Sequence, residues 1–155
     1  MKFEQYSVLK KQALNLCGSQ LELKQDPKQL NPVILAYIGD AVFSLYVRMR
    51  LVPTSAQVRV LHNLGAQMVS AVMQAKAMDA LMEELSEEEA AIARRGRNTK
   101  STVPKSASVR EYRQGTAWEA LVGWLFLSGQ EERLSVFLDK SFGIIQTEMQ
   151  NMKNK

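Results

Sequence analysis

The sequence predicts an all-α fold in a single domain. Only four prolines and eight glycines occur among 155 residues, and runs that alternate apolar with polar residues, as strands do, are scarce. Apolar residues recur instead every three or four positions, which is the spacing of one helix face. The chain length suits one domain, and no internal repeat or second core is visible. We expect one domain over residues 26–150, an N-terminal extension over 1–25 and a frayed tail over 151–155.

Composition excludes several classes of protein. No uncharged stretch reaches the roughly 20 apolar residues that span a bilayer, and the N-terminus lacks an apolar signal core, so we expect a cytoplasmic protein with no membrane partner. A single cysteine, Cys17, excludes an intrachain disulfide. With only one histidine, His62, the familiar zinc sites and Cys–His nucleophile pairs are also excluded. Any chemistry must therefore come from carboxylates, hydroxyls, Lys or Arg.

The helices in the first half follow from caps and apolar register. Residues 1–25 are weakly amphipathic and predict a helical extension. Asn31 is an N-cap before Pro32, and this helix should end near Leu51 and lie at the centre of the core, because its apolar face is broad. Thr54 and Gln57 form a capping-box pattern that opens a second helix, which the apolar register continues as far as Met73.

The second half is predicted in the same way. A short helix is expected around residues 78–85. Ser86 and Glu89 form another capping box, so we interpret the acidic run there mainly as a helix start and not as a metal site, with Gly96 as the C-cap. A polar, basic loop over residues 97–109 precedes a helix over about 111–127, and a last helix follows Gly129.

Charge is distributed very unevenly along the chain. Residues 77–92 carry a net charge of −6, whereas residues 93–113 contain seven bases against one acid. Such a basic block favours an anionic partner, with nucleic acid first among the candidates. The alternative is a solvated basic loop balanced by the acidic segment before it, and charge alone does not separate the two.

Two carboxylates interrupt otherwise apolar helices. Asp40 lies within AYIGDAVFSLY and Glu119 within TAWEALVGWLFL. A lone carboxylate in a buried helix is costly unless it is paired, hydrogen-bonded or bound to a cation, so the two could meet and hold a divalent metal. Gly39 and Gly123 are unfavourable in helices, and close packing of the two helices would explain them. The alternative is two unrelated acids at the surface.

These segments resemble the ribonuclease III family. LAYIGDAVFSLYVR is similar to the signature helix of that family, and TAWEALVGWLFL to its second catalytic helix. KQLNPVILAYIGDAVFSLYVR, RRGRN and the run from YRQGTAWEALVGWLFL to EERL resemble more closely the short members, the mini-ribonucleases III, which lack a separate double-stranded-RNA-binding domain. The resemblance spans about residues 26–138.

The resemblance implies a helical endonuclease fold, a homodimer and Mg²⁺-dependent cleavage of double-stranded RNA that leaves a 5′-phosphate and a 3′-hydroxyl. It makes Asp40 and Glu119 the catalytic and metal-binding acids. Three further acids of the family are absent, since their positions hold Val33, Ala36 and Thr116. Fewer carboxylates imply weaker metal binding with more ligands from water and RNA phosphate.

Without a separate RNA-binding domain, the catalytic domain must hold the RNA itself. The leading candidates lie in the basic block, and weaker candidates lie on the preceding helices. The first group is Arg94, Arg95, Arg97, Lys100 and Lys105; the second is Arg59, His62 and Lys76. The resemblance also implies a precursor of bacterial large-subunit (23S) ribosomal RNA as substrate and a large-subunit ribosomal protein as a further partner.

Two rival interpretations remain. A catalytically inactive scaffold for RNA or ribosome assembly is favoured by the missing acids at Ala36 and Thr116, but it gives no reason to keep Asp40 and Glu119. A helical protein-interaction module, with the basic loop on an acidic partner, does not explain the long match to two catalytic helices.

Overall fold

The computed structural model describes residues 3–17, 23–100 and 102–153, and every regular element within them is helical. The all-α prediction is thus confirmed. The α-helices are α1 (Phe3–Leu16), α2 (Pro32–Leu51), α3 (Val58–Met68), α4 (Ala71–Leu81), α5 (Glu87–Arg97), α6 (Val109–Leu127) and α7 (Glu131–Lys153). Short 3₁₀ turns cover Pro27–Gln29, Val52–Thr54 and Met82–Glu84.

Helix α6, and not α2 as the sequence suggested, is the centre of the core. It packs against α2, α4, α5 and α7, and its residues from Ala120 to Leu125 are all buried. The Trp118 ring is fully buried beside Phe43 and Phe137, and its Nε1 donates to Ser141 Oγ at 3.1 Å. Because α6 is enclosed by four helices, the side chains that it carries are held in fixed positions.

Helices α2 and α6 meet backbone to backbone. A Cβ atom built on Gly39 would lie 1.8 Å from the carbonyl oxygen of Glu119, and one on Gly123 would lie 1.9 Å from the carbonyl oxygen of Leu35. No side chain fits in either place. The predicted close packing is therefore confirmed, and it brings the segment with Asp40 against the segment with Glu119.

The predicted start of the second helix is wrong. Helix α3 begins at Val58, and its N-cap Gln57 makes no side-chain capping bond. The Thr54 hydroxyl instead donates back to the carbonyl of Leu51 at 2.7 Å, within a 3₁₀ turn that contains Pro53. The proline holds this stretch as a separate turn after α2, so the Thr54–Gln57 pattern opens no helix.

The single helix predicted through Met73 is divided in two. It breaks at Val69 and Ser70, where the Ser70 hydroxyl accepts a hydrogen bond from the backbone N–H of Met73 and caps α4. The apolar register continues across the break, which is why periodicity alone did not reveal it. The helix expected around 78–85 is the end of α4 together with the turn Met82–Glu84.

The ends of α5 and α6 show one success and two errors. The capping box of Ser86 and Glu89 is present as predicted. Gly96 is no C-cap, because it lies inside α5 where its Cα approaches α6; a Cβ there would be 2.9 Å from Ala120 Cβ. Ser108 forms a second capping box with Glu111, so α6 begins at Val109, two residues earlier than expected.

The chain ends differ partly from expectation. Residues 4–17, which include all but the first residue of α1, are exposed, and residues 1–2 and 18–22 of the predicted extension lie outside the described part. Helix α7 continues to Lys153, so residues 151–153 of the expected tail are helical, while 154 and 155 are not described.

By length and composition alone, residues 32–54 could cross a membrane, which the sequence inspection did not anticipate. Core helices of soluble proteins pass the same test. In this fold, the inner face of α2 is buried against the rest of the domain through Leu35, Phe43 and Val47. Its outer face leaves large apolar side chains exposed: Val33, Ile34, Tyr37, Leu45 and Met49.

Candidate active site

Asp40 and Glu119 line one cleft between α2 and α6. The cleft has a volume of about 330 Å³. The Asp40 side chain is exposed at this cleft, whereas Glu119 is mostly enclosed. The other residues that line the cleft are Val33, Ala36, Tyr37, Tyr112 and Thr116. The structure thus brings together the two acids that the sequence singled out on separate helices.

The environment of Glu119 disfavours the ionised form of its carboxyl group. Burial raises the pKa of its carboxyl group to about 7, a hydrogen bond from Gln74 opposes this rise, and the nearby charge of Asp40 adds to it. The Gln74 Nε2 donates to Glu119 Oε1 at 3.0 Å. Among the residues that the structure describes, neither acid has an ion-pair partner. A bound cation would relieve both the burial cost and the mutual repulsion.

The donor set suits a magnesium ion. Within the described ranges, no cluster of three or more His, Cys, Asp or Glu residues occurs. The Thr116 hydroxyl donates to the carbonyl of Tyr112 at 3.0 Å, so it is already engaged in the protein. Two carboxylates in an open cleft match Mg²⁺, which binds through one or two carboxylates and keeps waters and substrate phosphates as its other ligands. The residues present therefore fit the metal that the resemblance implies.

The basic end of α5 lies beside the segment of α6 that carries Glu119. A Cβ atom on Gly96 would be 3.0 Å from the carbonyl oxygen of Thr116, so the two backbones nearly touch. Arg94 and Arg97, on either side of this glycine, are exposed, as are Lys100 and Lys105 in the loop that follows. Arg95 is exposed as well, so all five leading RNA-binding candidates are exposed cations, but only the other four have no side-chain partner among the described residues.

Two other candidates are engaged within the protein. Arg95 donates to the backbone carbonyls of Lys28 and Leu30, the latter at 2.9 Å, and so ties α5 to the chain before α2. Lys76 forms an ion pair with Glu148 at 2.6 Å, which joins α4 to α7. Both side chains thus hold helices in place.

The remaining candidates lie on α3. His62 lines a groove of about 520 Å³ between α2 and α3, together with Ser44 and Arg48, and Arg59 is exposed on the same helix. Asp40, Ser44 and Arg48 follow each other at four-residue spacing, so they share one face of α2. This groove therefore begins on the face of α2 that carries Asp40.

The sequence did not single out two residues that the structure places near the proposed site: Arg48, in the groove between α2 and α3, and Gln74, the hydrogen-bond partner of Glu119. Arg48 stands two helical turns beyond Asp40, and this spacing was a usable signal. Gln74 is 1% exposed in a helix whose other buried residues are Met, Ala and Leu. A polar residue in an apolar register was the only hint, and nothing in the sequence named its partner.

Comparison with known proteins gives concordant results. The Ribonuclease III domain family matches residues 34–130. A Mini-ribonuclease 3 of Thermoanaerobacter sp. (strain X514) is 44% identical over 131 residues, which are 83% of this chain and 92% of the relative. A Mini-ribonuclease 3 of Brevibacillus brevis is 42% identical over 82% of this chain and 96% of the relative. An X-ray structure of protein FN1578 from Fusobacterium nucleatum superposes with a TM-score of 0.70 at 28% identity, covering 75% of this chain and 96% of that one.

Proposed function

Because the chain belongs to the ribonuclease III family, and within it to the mini-ribonucleases III, we propose that Asp40 and Glu119 are its catalytic acids and that Mg²⁺ is its metal. The chain is an endoribonuclease of the ribonuclease III type, a class that acts on double-stranded RNA and depends on divalent metal.

The two acids lie at different depths in the cleft, and we expect them to bind the metal from different sides. When bound, Mg²⁺ supplies a water activated for in-line attack on the phosphodiester and stabilises charge on the leaving oxygen. Asp40, exposed in the cleft, offers its carboxylate where an RNA phosphate approaches, and Glu119 offers the second from within. With its pKa near 7, the Glu119 carboxyl group must release its proton to act as a ligand. The products are a 5′-phosphate and a 3′-hydroxyl.

We assign the main RNA contacts to the exposed cations at the end of α5 and in the loop that follows it: Arg94, Arg97, Lys100 and Lys105. His62, which lines the groove between α2 and α3, and Arg59, which is exposed on α3, add weaker contacts. Arg95 and Lys76 keep their protein partners and act through the fold. Such contacts recognise the phosphates and the shape of a duplex, not its sequence.

The biological substrate that fits this assignment is a structured precursor of bacterial large-subunit (23S) ribosomal RNA, processed in the cytoplasm. The relatives named Mini-ribonuclease 3 come from bacteria, which agrees with it. Ribonuclease III-family proteins typically form dimers, and the exposed apolar face of α2 supports a homodimer here. A large-subunit ribosomal protein is a further proposed partner.

The observation that carries the proposal is the shared cleft of Asp40 and Glu119. Purified protein should cleave long double-stranded RNA with Mg²⁺ and should not cleave it with a chelator. The Asp40→Asn variant should bind RNA and keep its fold but show no cleavage. Asp79→Asn is the matched control, since Asp79 is bonded to Arg110 and Gln114 and does not line the cleft. Wild-type cleavage by Asp40→Asn would refute the assignment.

An inactive RNA scaffold is the second candidate. Ala36 and Thr116 line the cleft where the family carries acids, and this observation favours it. Tight RNA binding by the wild-type protein with no cleavage at any Mg²⁺ concentration would establish the scaffold instead.

A further inference from the structure

A buried glutamine on α4 contacts the acid pair. Gln74 is 1% exposed, and its Nε2 donates to Glu119 Oε1 at 3.0 Å, while Glu119 Oε2 accepts no hydrogen bond from the residues that the structure describes. A buried amide is retained only where its hydrogen bonds are made, so this contact is a constraint on both side chains.

We propose that Gln74 is a positioning residue, which fixes one carboxylate oxygen of Glu119 so that the other faces the metal in the cleft. This inference rests on the proposed function of Asp40 and Glu119. The cleft holds only two carboxylates, because Ala36 and Thr116 occupy positions where the family carries acids. The orientation of each remaining carboxylate therefore has a larger effect on metal binding. Partners that orient a metal ligand typically contribute 10–100-fold to metal affinity or activity.

The packing of α4 on α6 is shaped around this contact. At Gly115, one turn before Glu119, the two helices approach so closely that a Cβ atom would lie 3.1 Å from Gln74 Oε1 and 3.3 Å from the Cα of Ala71. Because Gly115 has no side chain, the side chain of Gln74 can lie against α6 at this point and reach Glu119. Helix α4 is itself anchored by the Ser70 cap, one turn before Gln74.

A purely structural role for Gln74 makes a different prediction. A space-filling glutamine would affect stability alone, and its isosteric replacement by Met would leave metal binding unchanged. Gln114 provides a matched comparison, because it is also buried and its Nε2 also donates to a carboxylate, that of Asp79 at 2.8 Å, away from the cleft. The two glutamines differ mainly in which acid they hold.

The test compares Gln74→Met with Gln114→Met in two measurements. The first is the Mg²⁺ concentration that gives half of the maximal thermal shift of the RNA-free protein, and the second is the Mg²⁺ dependence of cleavage. We expect Gln74→Met to raise both midpoints about tenfold or more, and Gln114→Met to lower stability without moving either. Unchanged midpoints in a folded Gln74→Met protein would overturn the inference.

Gly115→Ala supports the test if Gln74→Met does not fold. This substitution keeps the side chains of Gln74 and Glu119 but places a methyl group against Gln74 Oε1. We therefore expect a smaller increase of the Mg²⁺ midpoint than in Gln74→Met. No increase would again contradict the inference. Asp40→Asn and Glu119→Gln are measured in parallel. If they too respond to Mg²⁺ like the wild type, the proposed function fails; if they lose the response and the Gln74 and Gly115 variants keep it, only the positioning role fails.

Discussion

At the scale of single residues, the two proposed catalytic acids have opposite environments. Asp40 is exposed to water, whereas Glu119 is mostly enclosed in the cleft between α2 and α6 and accepts a hydrogen bond from Gln74 of α4. The enclosed acid carries a cost in the absence of metal, since its folded pKa of about 7 exceeds the ordinary 4.5 of a glutamate. The protein keeps a destabilising carboxylate, which indicates a role other than folding.

Replacing Glu119 by Gln should therefore stabilise the metal-free protein while abolishing cleavage. An acid with a raised pKa costs nothing below its unfolded pKa, and the cost grows as the pH rises through about 4.5 to 7. We expect the free energy of unfolding of the variant to exceed that of the wild type by about 3 kcal/mol at pH 8 and by almost nothing at pH 4.5. Urea unfolding in chelator at both pH values measures this. An equal difference at the two pH values would contradict it, and added Mg²⁺ should stabilise only the wild type.

Residue-scale prediction from sequence succeeded for the acids and failed for their partner. Asp40 and Glu119 stand out locally, because a carboxylate within an apolar helix needs a reason. Gln74 lies 45 residues from Glu119 in the chain, and a glutamine is unremarkable in a helix. Its importance arises only from tertiary packing.

At the scale of helices, the crossing of α2 and α6 determines the site. Gly39 and Gly123 each face a backbone carbonyl of the opposite helix at a distance that excludes a methyl group. The acids are therefore positioned by contact between two backbones, and the separation of the helices sets the geometry of the cleft.

A methyl group at Gly39 should force the two helices apart. We expect Gly39→Ala to lower the free energy of unfolding by about 3 kcal/mol or more, with loss of cleavage. Gly143→Ala is the matched control on α7, where a Cβ atom meets nothing within 4 Å, and it should stabilise the protein by about 0.5–1 kcal/mol. The free energies come from denaturant unfolding. A Gly39→Ala protein as stable as the wild type would show that the crossing is not tight.

The basic stretch after α5 should act on RNA and not on the fold. Replacing Arg97, Lys100 and Lys105 by Ala removes phosphate contacts, so RNA affinity should fall and the log–log slope against salt should flatten by about 0.7–0.9 per lost contact. Thermal stability should change by less than about 0.5 kcal/mol for each exposed substitution. Lys140→Ala, which removes a cation paired with Glu84, is the control and should keep the slope. An unchanged salt dependence in the triple variant would show that these three side chains are solvated and do not contact the RNA.

Helix ends were predictable where the signal is local. Ser86 and Glu89 satisfy each other within one turn, so their capping box could be recognised from four residues. The break at Ser70 is not predictable from periodicity, because the apolar register runs through it. The role of Gly96 is not predictable either, because its close packing on Ala120 depends on the tertiary fold.

At the scale of the whole molecule, the outer face of α2 is an exposed apolar surface. The outward side chains of α2 include Tyr37, Leu45 and Met49, exposed by 75%, 63% and 67%. A contiguous apolar face of this kind is typical of a protein interface. The sequence suggested it, since α2 has more apolar residues than one buried stripe needs, but the identity of the exposed ones required the fold.

A homodimer through this face should depend on its apolar character. At micromolar concentration the wild type should have twice the chain mass, and Leu45→Glu should be a monomer, because a carboxylate would be buried unpaired at the interface. Val136→Glu is the control, since Val136 is exposed on α7, and this variant should remain a dimer. Light scattering coupled to gel filtration distinguishes the two. A monomeric and active wild type would exclude the dimer.

The glycine crossing also affects how a mutational scan of this protein should be interpreted. Positions 39 and 123 tolerate no side chain for steric reasons, although neither glycine has a side chain that could take part in catalysis. A growth selection would therefore score them as intolerant as Asp40 and Glu119, and ranking positions by tolerance would merge two different requirements. Scoring protein abundance beside growth would separate them, because glycine variants should lose abundance while Asp40 and Glu119 variants should keep it.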